Sequence, residues 1–115
     1  MSTHPVPEGF KPSLAAAVVF LRDRDWARIR RLDGSDLLVG FDPESRPHAA
    51  IVAEETTMRP DAVRTLITPA RIATYRAAAR ASLGLADSDE VIVDLLQVVY
   101  PGTPAQSITW MRGLS

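Results

Sequence analysis

The stretch RDRDWARIRRLDGSDLLVGF, Arg22 to Phe41, decides the architecture of this chain because it supports two readings. In the first, a helix beginning near Ser13 with LAAAVVFL runs on to Leu32. Trp26, Ile29 and Leu32 then share a stripe with Leu14, Val18 and Leu21, and Arg24, Arg28 and Arg31 lie opposite. Asp25 inside the apolar stripe and like charges at Arg24 and Arg28 count against it.

In the second, Asp33-Gly34 is a two-residue turn and the flanking segments pair as a hairpin. Its register sets Arg31 against Asp36, Ile29 against Leu38 and Trp26 against Phe41, pairs worth roughly 0.2–1 kcal/mol each. It also leaves Arg28 opposite Val39 and Arg30 opposite Leu37, which requires their stems to snorkel. The hairpin is the preferred reading. A helix Ser13–Arg24, with Ser13 as N-cap, then precedes strands Trp26–Leu32 and Asp36–Phe41.

Outward from this stretch, residues 1–12 read as an extended arm with three prolines, able to dock on its own domain or on a partner; residues 13–115 read as one globular domain. HAAIVAE, His48 to Glu54, leans towards strand, and PDAVRTLI, Pro60 to Ile67, towards a short helix. The clearest element is a long Ala-rich helix at about 69–83, capped by Thr68, started by Pro69 and stopped by Gly84.

DSDEVIVDLLQVVYPG is divided. Its β-branched density favours a strand, while Asp87 with Glu90, and the spacing of Glu90, Asp94 and Gln97, favour a helix, which is preferred here. TPAQSITWMRGLS carries the same conflict. If both segments are strands, they form a second hairpin around Pro101–Gln106. The expected fold class is α+β, a single small domain with a β-hairpin at about 26–41 and the helix at about 69–83.

Composition narrows function mainly by exclusion. A 46% apolar and 23% charged chain of 115 residues is that of a soluble globular domain and can build a core without staples. With no cysteine there is no disulfide, zinc-thiolate site or thiol nucleophile. The longest apolar run, Leu14 to Leu21, is too short to span a bilayer, and the N-terminal residues lack a signal-peptide pattern. A cytoplasmic protein with no membrane partner is expected. One lysine, no asparagine and abundant arginine and alanine are the usage of a GC-rich bacterial genome.

No phosphate loop, G-x-S-x-G elbow or H-E-x-x-H motif occurs. His48 is the only histidine placed for acid–base work, and nothing in the sequence orients it. The acids Asp42 and Glu44, Glu54 and Glu55, and Asp87, Asp89 and Glu90 do not form a hard-cation loop. No catalytic, cofactor-binding or metal-binding residue is therefore assigned, and no cofactor is expected.

The leading expectation is a small non-catalytic interaction or accessory protein whose partner is itself or another protein. Candidate interface residues are Trp26 and Trp110, with the alanine ridge Ala73, Ala77 and Ala81. The alternative is a nucleic-acid-binding regulator using Arg28, Arg30, Arg31, Arg71, Arg76 and Arg80. It is disfavoured by a net charge of −1 and by the acids interleaved among five of the twelve arginines between Arg22 and Gly34. A small-molecule-binding domain with scattered site residues is the third expectation.

Overall fold

A computed structural model describes residues 11–32, 35–55 and 67–114. In chain order these form α1 (Pro12–Arg22), β1 (Ala27–Arg31), β2 (Leu37–Phe41), β3 (Pro47–Glu55), α2 (Pro69–Leu83), β4 (Ile92–Val99) and β5 (Ser107–Leu114). The strands make one sheet in sequence order; β3 and β4 are parallel and every other pair is antiparallel. The fold is mixed α+β; among the described residues one helix covers each face of the sheet.

The hairpin reading of Arg22–Phe41 holds, and the reason is local. Asp25 adopts a left-handed φ of 63°, and the Trp26 amide donates back to Leu21 O at 3.1 Å, which ends α1 before the arginine-rich segment. The helix begins one residue earlier than expected. Lys11, not Ser13, is the N-cap, Pro12 holds the first turn, and Ser13 is buried with its hydroxyl donating to Glu54. Lys11 supplies no side-chain cap, so α1 rests on packing: Leu14, Val18 and Leu21 are each nearly fully buried, worth roughly 1.5–3 kcal/mol apiece.

The hairpin register differs from the expected one by two residues. Arg31 faces Leu38 and Arg30 faces Val39, and the Leu32 amide closes the connection on Leu37 O at 3.0 Å. Asp36 does not meet Arg31. Its carbonyl accepts from the Val52 amide and its carboxylate pairs with Lys11 at 2.9 Å, so β3 and α1 claim the residue that the shorter turn would have used. A slip of two keeps each side chain on its face, and the apolar sorting survives. Nor does Trp26 pair with Phe41. A bulge at Arg28, where φ is 57°, sets Ala27 there instead and turns Trp26 onto the opposite side of the sheet.

The helix preference for the segment after Asp87 is overturned. Residues 92–99 form β4 and 107–114 form β5, joined around Pro101–Gln106. β4 lies inside the sheet between β3 and β5, with helices over both faces, and Val93 through Val99 are all buried. Such a strand reads as a continuous apolar run, the pattern that VIVDLLQVV shows. The helical spacing of Asp94 and Gln97 is coincidental, since strand alternation sends them to opposite faces. His48–Glu54 lies within β3 as expected, while the segment Pro60–Leu66 and the turn residues Asp33 and Gly34 fall outside the described residues.

Leu38, Ala50, Val52, Leu96 and Val98 pack under α1; Leu37, Val39, Ile51, Val93 and Leu95 pack under α2. Thr68 accepts from the Arg71 amide at the start of α2, and Gly84 closes it at φ 68°. Ile72 and Ala79 are buried along its seam, with Tyr75 and Leu83 packed beside them. Ala73, Ala77 and Ala81 lie on the outer side and are exposed.

Candidate functional site

Three polar residues interrupt the apolar sheet at one end of the α1 face. His48 is the second residue of β3, Asp94 sits in β4, and Asp42 directly follows β2 at the tight connection to β3. Strand parity puts His48 and Asp94 on the same face, level with the turn that follows α1. His48 Nδ1 lies 2.6 Å from Asp94 Oδ2, and His48 Nε2 lies 2.8 Å from Asp42 Oδ2. The imidazole bridges the two carboxylates, with a hydrogen bond at each ring nitrogen.

The array continues at both ends. Arg46 Nε donates to Asp42 Oδ2 at 2.8 Å, and the Gly113 amide donates to Asp94 Oδ1 at 2.8 Å. Arg46, Asp42, His48 and Asp94 thus form one chain in which basic and acidic side chains alternate. His48 and Asp94 are 1% and 0% exposed, and so deep a charge survives only when paired and hydrogen-bonded. Asp42 also shapes its own turn, its Oδ1 accepting from the amides of Glu44 at 2.9 Å and Arg46 at 3.0 Å. Burial alone would raise the Asp42 pKa; the Arg46 amide, His48, the Arg46 guanidinium and the Glu44 amide outweigh it and bring it down to about 2.

An Asp–His pair invites comparison with a general base held by a carboxylate. A base needs one ring nitrogen within reach of substrate, and here Asp42 occupies the second nitrogen while Trp26 packs over the ring at 4.4 Å. The array holds structure. The carboxylates flank the imidazole and do not converge on a point, and no group of three or more metal-ligating side chains occurs among the described residues.

Above this array lies a cleft of about 240 Å³ lined by Arg24, Trp26, Asp42, Pro43, Glu44, Arg46, Trp110 and Arg112. It brings together Trp26 and Trp110 from the two ends of the sequence, with ring centroids 6.0 Å apart. The alanine ridge is not part of it, for α2 covers the opposite face of the sheet.

The six arginines considered for nucleic acid are dispersed. Arg30 donates to the carbonyl and hydroxyl oxygens of Ser82, Arg76 to Val91 O, and Arg80 to Asp89 O. These three tie β1 and the start of β4 to α2. Arg28 lies over the Phe41 ring, and Arg31 donates to Ser35 O from the α1 face. Arg71, in the first turn of α2, is exposed.

The array was not recognised from sequence, although a signal was present. Asp94 is the only charge inside VIVDLLQVV, and His48 directly precedes AAIVA; lone ionisable residues in two buried strands need each other. Their adjacency follows only from the β3–β4 pairing. Compared with family models, with curated proteins and with solved structures, the chain matches none.

Proposed function

We propose that this is a non-catalytic interaction domain that associates with a second copy of itself through β5. The observation that carries the reading is the contrast between the two edges of the sheet. β1 is five residues long, bulged at Arg28, and carries three arginines, devices that blunt an edge. β5 spans eight residues with one charge, Arg112; its own bulge lies at Arg112–Gly113, its register is regular from Ser107 to Met111, and its outer ladder has no strand partner among the described residues.

A bulged, cationic β1 resists head-to-tail addition, so the complementary partner for β5 is another β5 in a two-fold arrangement. Antiparallel pairing centred on Thr109 sets Ile108 against the partner's Trp110 and Ser107 against the partner's Met111. No like charges then face each other. The dispersed arginines and the acidic pI of about 6.1 give nucleic acid no comparable support.

Light scattering across micromolar concentrations tests this. The wild-type chain is expected to be a dimer. Thr109→Lys, which sets two cations opposite each other at the axis of an exposed strand, is expected to be a folded monomer. A monomeric wild-type chain at every concentration overturns self-association. A dimer that survives Thr109→Lys but not Ala77→Glu keeps self-association and moves the seam to the exposed ridge of α2.

A further inference from the structure

We propose that the cleft beside Trp110 is a binding site for a small aryl anion, a flat apolar ring bearing one carboxylate or phosphate. The charges in its wall divide into those already paired and those left free to bind. Asp42 is consumed by His48, by Arg46 and by two backbone amides, and Glu44 pairs with Arg46 at 3.4 Å. The charge on Arg46 is thereby spent within the chain.

Arg24 and Arg112 differ. Neither has a carboxylate within ion-pair distance among the described residues. Each instead spreads over an aromatic ring, Arg24 at 3.4 Å from the Phe20 centroid and Arg112 at 4.4 Å from that of Trp110. A stacked guanidinium keeps its in-plane N–H donors directed away from the ring, the geometry that receives a planar oxyanion. Arg24 spends one donor on Phe20 O, leaving others available.

The rest of the wall is apolar and aromatic. Trp26 and Trp110 form an edge-to-face pair at 68°, with Pro43 beside them. The indole Nε1 of Trp110 is buried and has no acceptor among the described residues, so one wall residue of the cleft holds an unsatisfied donor. A ligand site is typically such a mixture of apolar wall and few polar groups. The volume, about 240 Å³, suits a single substituted ring.

The chain has two tryptophans and both line this cleft, so intrinsic fluorescence reads its occupancy directly. Benzoate and phenyl phosphate are the probes and benzyl alcohol is the neutral control. The expected result is a saturable change with either anion and none with the alcohol. Arg112→Gln and Arg24→Gln, both at exposed positions, should each weaken binding by about tenfold or more, as loss of a charge-assisted hydrogen bond does. Circular dichroism confirms that each variant is folded. No saturable response to either anion, an equal response to benzyl alcohol, or unchanged affinity in both variants overturns the proposal. Titrating the Thr109→Lys chain in the same way separates these readouts from the dimer.

Discussion

His48 Nδ1 and Asp94 Oδ2 are joined by a hydrogen bond of 2.6 Å, in a place where the two side chains are 2% and 0% exposed. Every other feature of that end of the sheet is arranged around this pair. Trp26 packs over the imidazole, Asp42 takes its far nitrogen, and Gly113 satisfies the second oxygen of Asp94. Removing one partner strands the other as a buried charge. Asp94→Asn is therefore expected to cost about 3 kcal/mol or more in urea unfolding, and His48→Gln a similar amount. The double variant should lose clearly less than the sum. Additive losses to within about 0.5 kcal/mol would show that the two are not coupled.

Asp42 sets an acid limit on stability. Its folded pKa of about 2 lies below the ordinary value of 3.8, so its contribution is complete above pH 5 and is lost as pH falls from about 4 towards 2. With the exposed side chains of Arg46 and Glu44 screening the site, the contribution is about 1 kcal/mol. Urea midpoints for the wild-type chain and Asp42→Asn should differ most near pH 6 and approach each other near pH 2. A gap that stays constant across that range counts against this role.

Gly40 is fixed by space. A Cβ there would lie 3.2 Å from Ala27 O and 3.3 Å from Ile29 Cγ1, because the bulge presses β1 onto β2 at this point. Gly40→Ala must push the bulge outward, at about 1–3 kcal/mol. A wild-type melting temperature for this variant would contradict the tight contact.

Arg28 is the converse case, a side chain where the backbone favours glycine. Its φ of 57° costs a residue with a Cβ roughly 1–2 kcal/mol, against which the ring of Phe41 at 5.8 Å offers little. Glycine has more freedom to lose on folding, and Arg28→Gly should still stabilise the chain by up to about 1 kcal/mol. Calorimetry reads this as a rise in melting temperature, and a fall would assign Arg28 a stabilising contact larger than its stack on Phe41.

Features enforced within a few residues were legible from the sequence. Asp33-Gly34 announced a hairpin between two apolar runs, and Thr68, Pro69 and Gly84 act at the ends of α2 as their side-chain and backbone chemistry dictates. The register was not legible. The choice between pairing Arg31 with Asp36 or with Leu38 rests on Lys11 and Val52, which lie far off in the chain. For 92–99 the local signals conflicted, and burial between two strands and under two helices resolved them.

The chain by itself thus determined the hairpin, the ends of α2 and its mixed α+β character, because those depend on backbone preference and on neighbours one to four residues away. Only the tertiary structure decided that Asp42, His48 and Asp94 share one buried array, that both tryptophans meet in one cleft, and that β1 and β5 are the two edges of the sheet. Each of these follows from which strands lie side by side, a choice made by burying apolar faces across the whole sheet.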